Sequence, residues 1–299
     1  MKKENPLHYS EERFMGLNDI QKVCLETYKE YKKICDKYNL NYFAIGGTCI
    51  GAVRHNGFIP WDDDIDIAMP IKDLFEFIEI SKDELDKSYS IYSPKKIRNF
   101  KSNFYKLYNV KTTYIEKENI KYPESYRGIG IDLMPIYGMP KGDSKQLKMA
   151  KTNDMFLTFN EKNRSSFLDQ INISGKLNWI LLYPFYKKRN WNYWIDKSID
   201  KYAKIPFDNS DKIIFGWRRF PYKRRKTNYK SVFSYEDFSS WCEMRFEDTN
   251  IRVPIGWDNY LKSDFGDYLT LPPVEQRKTM HNVVIIDTKK SYKDYIGKI

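Results

Sequence analysis

Gly46-Gly47-Thr48-Cys49-Ile50-Gly51-Ala52-Val53-Arg54-His55-Asn56-Gly57-Phe58-Ile59-Pro60-Trp61-Asp62-Asp63-Asp64-Ile65-Asp66-Ile67 carries a glycine turn, a helical stretch and an acidic run in immediate succession. Asn41 to Ile45 reads as a short apolar strand that the glycine pair stops. Thr48 is placed to cap a helix over Cys49 to His55, which Asn56-Gly57 ends. From Trp61 to Met69 the pattern alternates as a strand does, with Asp64 and Asp66 on one face and Ile65 and Ile67 on the other. Asp63 then points away from that pair.

Asp62, Asp63, Asp64 and Asp66 lie within five positions. Like charges crowded on one face repel, so packing gives no reason for them. A divalent cation does: Mg2+ takes oxygen ligands, typically one or two carboxylates together with waters and substrate phosphates. The glycines add a complementary feature. Gly46 and Gly47 let backbone come close to a ligand, and the start of the following helix offers N–H groups and a positive dipole end to a phosphate. A phosphate cradle (Gly46, Gly47, Thr48) thus stands 18 residues before a candidate metal pair, Asp64 and Asp66. A lone acidic loop beside a glycine turn has a simpler reading as solvated surface; the ordered combination points to a site.

Outward from this block, Leu17 to Asn39 has helical periodicity through Leu17, Ile20, Cys24, Tyr28, Tyr31 and Cys35. Helices are expected over 71–85, 144–163 and 176–202, with a short one over 256–264. Strands are expected over 104–109, 112–116, 130–134 and 251–255. The organisation expected is a catalytic part over 1–140 and a mainly helical part over 141–299.

The 299 residues include 24 Tyr and 18 Phe, so rings should build much of the core. A formal charge of +11 suits an anionic partner without choosing one. Four cysteines without CxxC spacing speak against zinc and for reduced thiols. The polar N-terminus does not read as a signal peptide, and no run is long and apolar enough to span a bilayer. A cytoplasmic protein is expected, with peripheral contact at the inner face of the plasma membrane as a second option.

The block from Gly46 to Pro70 resembles the signature of the LicD family, which includes phosphocholine transferases of bacterial surface polysaccharides and is similar to the catalytic part of fukutin-related proteins. The resemblance resumes at Val253-Pro254 and from Tyr260-Leu261 through Phe265-Gly266-Asp267-Tyr268 to Pro272-Pro273 and His281; residues 140–240 carry no matching motif. It implies an α+β nucleotidyltransferase-like fold, with a mixed sheet flanked by helices and a more helical C-terminal part. Asp64 and Asp66 match the family's metal-binding pair, and Asp132 in Gly130-Ile131-Asp132-Leu133-Met134 matches its third carboxylate. The resemblance further implies a CDP-linked donor such as CDP-choline or a CDP-polyol. The acceptor it implies is a hydroxyl of a glycan, a teichoic-acid, capsule or lipopolysaccharide precursor that is lipid-linked in one version, with CMP released.

In that reading Asp64 and Asp66 hold Mg2+ or Mn2+. Asp132 completes a second metal site or takes the proton of the attacking hydroxyl. Asp62 is the candidate additional ligand. Arg54, His55, Arg277 and His281 are candidates for donor or acceptor contact, and each has a surface or structural role as its alternative. One rival keeps the fold but transfers NMP from an NTP to a small molecule. Another is a basic nucleic-acid-binding protein using Arg218-Arg219 and Lys223 to Lys226; the acidic set speaks against it, and no nucleic acid is expected as partner. Residues 177–194 place aromatics beside Lys187-Lys188-Arg189, a composition that suits a membrane interface or a core helix with a solvated end.

Overall fold

The computed structural model describes residues 15–93, 104–164, 173–186, 193–208, 210–216, 218, 232–279 and 281–299. The first helix, α1 (Met15–Lys37), buries Ile20, Cys24, Tyr28, Tyr31 and Cys35, the stripe its periodicity sets. Next come β1 (Phe43–Ala44), α2 (Gly46–His55), β2 (Asp66–Pro70), α3 (Ile71–Glu84), β3 (Tyr89–Tyr92), β4 (Tyr105–Asn109), β5 (Thr113–Glu116) and β6 (Gly130–Gly138). The chain continues through α4 (Asp143–Arg164), α5 (Ile173–Tyr186), α6 (Tyr193–Tyr202), β7 (Lys212–Phe215), β8 (Val232–Ser234), β9 (Trp241–Phe246), β10 (Thr249–Pro254), α7 (Trp257–Phe265) and β11 (Val283–Asp287).

Among the described residues seven strands form the central sheet. Its main path is β1-β2-β6-β4-β3, with β7 added along the second half of β6 and β8 beyond β7. β2 and β6 run parallel, while β1, β3, β4, β7 and β8 join antiparallel. This is the mixed sheet of an α+β fold, with α1 packed on β6 and β4 and α3 on β2 and β6. β9 pairs with β10, which packs on β1, and β11 pairs with β5.

Rings do fill the core. Tyr28, Tyr31, Tyr42 and Phe77 pack together between α1, β1 and α3, and the Tyr28 and Tyr42 hydroxyls meet at 2.9 Å. A second group, Phe215, Phe233, Phe238 and Tyr260, joins β7 and β8 to α7. Tyr260 carries this packing to the glycine turn, where its hydroxyl accepts from the Gly46 N–H at 2.9 Å.

Several elements differ from expectation. The strand expected from Trp61 begins only at Asp66, and residues 61–65 are irregular. α2 starts at Gly46 with Ile45 as its N-cap, so Thr48 is not the cap. Its hydroxyl instead accepts from the Asp66 N–H at 2.8 Å, fastening α2 to the start of β2. The helix expected over 176–202 is two helices, α5 and α6; residues 187–192 between them lie outside the described residues. Among the described residues, 141–299 has four helices but also supplies β7 and β8 to the same sheet and β11 to β5. The expected division near residue 140 falls between β6 and α4. Among the described residues no helix is long and apolar enough to cross a membrane.

Candidate active site

The site begins as a consequence of strand register. In the parallel pairing of β2 with β6, Asp66 stands beside Asp132, and in the antiparallel pairing of β4 with β6, Lys106 stands beside Asp132. Residues in register on neighbouring strands project to the same face. Asp64 comes in from the irregular segment just before β2. One carboxylate oxygen from each of Asp64, Asp66 and Asp132 lies within 4.8 Å of the others. Asp132 is buried, and Asp64 and Asp66 are partly exposed.

Three carboxylates this close are costly without a cation. Burial pushes the Asp66 carboxyl far above the usual range, and the charges of Asp64, Asp132 and Asp62 add to the effect. Burial likewise raises Asp64 to about 6; His281 opposes the rise while Asp132 and Asp63 add to it. Lys106 is ion-paired to Asp132 and supplies one positive charge from the neighbouring strand. The donor set is all oxygen, compact and short of positive charge, and it fits a hard divalent cation.

Asp62 stands beside these three. Burial is the main cause that raises its carboxyl, repulsion from Asp64 and Asp63 adds to it, and it shares a hydrogen bond with Asp64. It also explains the second glycine. A Cβ on Gly47 would lie 2.2 Å from Asp62 Oδ2, so the glycine leaves that carboxylate its place against α2. Gly46 adopts φ +58°, a conformation that L side chains rarely take, and a Cβ there would stand 3.1 Å from Asp66 Oδ2. The two glycines thus bring the first turn of α2 against the acidic cluster. Within that turn the Gly46 N–H is given to Tyr260 and the Cys49 N–H to the Ile45 carbonyl.

Asp63 stands outside the three-carboxylate cluster, on the irregular segment before β2 rather than on a strand face, and it does not face solvent. It is buried and accepts from Tyr114 Oη at 3.0 Å and Thr279 Oγ1 at 2.9 Å, and its Oδ1 lies 2.8 Å from His281 Nδ1. Burial raises its carboxyl, but the bonds from His281, Thr279 and Tyr114 prevail and hold it below the usual range. The partnership with Asp63 raises His281 to about 9, with Asp64 contributing through its charge. His281 Nε2 is 3.5 Å from Asp64 Oδ2, so one imidazole links this buried network to the cluster. A cleft beside the cluster is lined by Lys106, Tyr114, Glu116, Arg127, Asp132 and His281. Within it Glu116 accepts from Arg127 at 2.8 Å.

The remaining candidates gather at the opposite, C-terminal end of α2. Arg54 donates to the Tyr268 carbonyl at 2.5 Å, and the His55 ring meets Trp61 edge-on at 6.4 Å. Arg277 lies over Trp61 at 5.6 Å and donates to the Pro272 carbonyl at 2.8 Å. Burial lowers Arg54 and the Arg277 charge lowers it further; burial lowers His55 to about 4, assisted by Arg54. So the structure brings His281 to the carboxylates and places Arg54, His55 and Arg277 in a second, cationic group. Of the basic stretch over 218–226 only Arg218 is described, and it pairs with Asp264 at 2.6 Å. Arg219 and Lys223 to Lys226 lie outside the described residues.

Residues 39–163 match the family described as LicD/FKTN/FKRP, nucleotidyltransferase domain. Over those residues the chain resembles a LicD-family domain. The matched stretch includes the glycine turn, all four clustered aspartates of the 62–66 run, Lys106 and Asp132, while Tyr260, Thr279 and His281 come from beyond it. The chain is also 27% identical over 274 residues to the lipopolysaccharide cholinephosphotransferase LicD of Haemophilus influenzae, covering 89% of this chain and 96% of that protein. An uncharacterized protein of Rickettsia typhi is 37% identical over 79 residues, 23% of this chain and 26% of its own length. The likeness to LicD thus reaches well beyond the matched domain.

Sequence reading did not find Lys106, Tyr114 or the role of Asp63. Lys106 carried a signal in principle, since it is the one lysine inside the apolar β4 pattern Tyr105-Lys106-Leu107-Tyr108. Asp63 and Tyr114 carried none: their pairing joins segments 51 residues apart, and Asp63 meets Thr279 across 216.

Proposed function

We propose that this chain is a metal-dependent transferase that moves a phospho-head group, phosphocholine or a polyol phosphate, from a CDP-linked donor to a glycan hydroxyl, releasing CMP. The observation that carries the reading is the convergence of Asp64, Asp66 and Asp132 within 4.8 Å on one face of the sheet. The likeness to a cholinephosphotransferase over nearly the whole length of both chains supports the class of reaction.

Asp64, Asp66 and Asp132 would hold Mg2+ or Mn2+, with Asp62 as the adjacent carboxylate; the bound cation supplies charge neutralisation at the donor's phosphates. Phosphoryl transfer needs mainly positioning and electrostatic stabilisation, and the chain's own groups divide that work. Lys106 fixes and neutralises Asp132. Asp63 fixes the His281 ring so that Nε2 faces the cluster. The first turn of α2 brings its dipole to the site where a donor phosphate would sit. The cationic group of Arg54 and Arg277 with Trp61 suits the nucleotide portion of the donor. The acceptor proposed is a hydroxyl of a surface glycan, lipopolysaccharide, teichoic acid or capsule.

The test is a product analysis by phosphorus NMR. Purified protein, Mg2+, CDP-choline or a CDP-polyol and a glycan acceptor should yield CMP and a glycan phosphodiester. Formation of a nucleotidylated small molecule and pyrophosphate from an NTP would instead establish the rival nucleotidyltransfer, and no turnover of any CDP conjugate would contradict the proposal.

A further inference from the structure

α5 (Ile173–Tyr186) has an apolar face with nothing from the described residues over it. Leu177 is 56% exposed, Ile180 54% and Leu181 62%, and Pro184 is exposed as well. Their spacing, i, i+3, i+4 and i+7, places all four on one side of the helix. Trp179 points to the other side and is buried, so the helix is anchored by one face and apolar on the opposite one. From Leu177 through Tyr186 the sequence has no charged residue. Contiguous exposed leucine and isoleucine of this kind mark an interaction surface rather than ordinary solvated helix.

Charge decides what that surface fits. α5 carries Lys176 just before this face and packs against α4 (Asp143–Arg164), whose exposed residues include Lys145, Lys148 and Lys151 beside Leu147 and Met155. The sequence continues past α5 with Lys187-Lys188-Arg189, which lie outside the described residues, and the whole chain carries +11. A second copy of the chain docked here would bring these positive charges together. An anionic bilayer surface attracts them, and it accepts leucine and isoleucine without asking for a matched shape. The helix has 14 residues, about 21 Å at 1.5 Å per residue, too short to span a bilayer of about 30 Å and suited to lie in its interface.

We propose that α5 is an in-plane membrane anchor that inserts Leu177, Ile180, Leu181 and Pro184 among the headgroups of an anionic bilayer. This surface is separate from the carboxylate cluster, so its test does not depend on which reaction the cluster performs.

The experiment is vesicle flotation of the full chain with phosphatidylcholine alone and with phosphatidylcholine containing phosphatidylglycerol, at low and high salt. The same assay is run on Leu177→Asp/Leu181→Asp, whose folding is verified by its melting temperature. Both leucines are exposed, so the melting temperature should stay near that of the parent. The expected result is flotation with the anionic vesicles, reduced by salt and weakened more than about tenfold in the double variant, since two apolar anchors are replaced by anions that the anionic surface repels. Three results overturn the proposal: no flotation, flotation equal in the parent and the variant, or a parent dimer that the double variant dissolves without any vesicle binding. If the double variant melts far below the parent, Ile180→Asn alone is used, and unchanged flotation of that variant contradicts the proposal.

Discussion

Asp63 Oδ1 lies 2.8 Å from His281 Nδ1, and this contact closes the C-terminal segment onto the acidic run of the sheet. Asp63 takes two further donors, Tyr114 and Thr279, and is buried. Its neighbour Asp64 belongs to the carboxylate cluster, and His281 contacts both. Adjacent carboxylates thus stand in different networks: Asp63 in the buried contacts that hold the C-terminal segment, Asp64 in the carboxylate cluster.

Asp63→Ala leaves a buried hydroxyl, a threonine and an imidazole without their shared acceptor. Breaking a buried charged network of this kind costs about 3 kcal/mol. Urea denaturation should show that loss, whereas Asp64→Ala, which removes repulsion from the cluster, should leave stability without metal equal or higher.

Lys106 supplies the positive charge nearest Asp132. Lys106→Met leaves the three carboxylates less compensated. The melting temperature without metal should fall, and the gain on adding millimolar Mg2+ should exceed that of the parent. Differential scanning calorimetry with and without EDTA measures both, and equal gains in the two proteins would contradict the role given to Lys106.

Gly46 sits at φ +58° with its Cα hydrogen facing Asp66. Gly46→Ala combines left-handed strain of about 1–2 kcal/mol with a contact that shifts Asp66. Gly47→Ala meets only the end of the Asp62 side chain, which can rotate away. Both should lower turnover; Gly46→Ala should also lower the unfolding free energy by about that amount, and Gly47→Ala by less.

His55 titrates near 4 in the folded protein because burial, then Arg54, disfavours its charged form. Arg277 lies in the same group. An ordinary histidine in the unfolded chain titrates near 6.5. The unfolded state therefore binds the extra proton first, and this contribution lowers stability as pH falls from 6.5 to 4. His55→Asn removes the group, so its melting temperature should decline less than the parent's across that window. Parallel declines would show that His55 does not sense pH.

Much of this was legible in the sequence because it is local. The glycine turn, the helix that follows it and the pair Asp64 and Asp66 lie within 21 residues, and α1 follows its apolar stripe. The strand expected from Trp61 starts late for a physical reason. A regular strand would send Asp62, Asp63 and Asp64 to alternating faces of one sheet, but here they go to Gly47, to His281 and to the carboxylate cluster, which requires irregular backbone. Thr48 has the composition of a cap, yet the Asp66 N–H claims its hydroxyl. β7, β8 and β11 are short, and β7 and β11 find their partners far along the chain, at β6 and β5, so local pattern could not reveal them.

The central claim is that Asp64, Asp66 and Asp132 hold a cation that a CDP-linked donor needs. Calorimetric titration with CDP-choline, CDP-glycerol and CDP-ribitol, in Mg2+ and in EDTA, tests it on the parent and on Asp64→Ala/Asp66→Ala. Binding of one conjugate in Mg2+ that disappears in EDTA and in the double variant is the predicted result. Binding that persists unchanged without the metal or without both aspartates would contradict it.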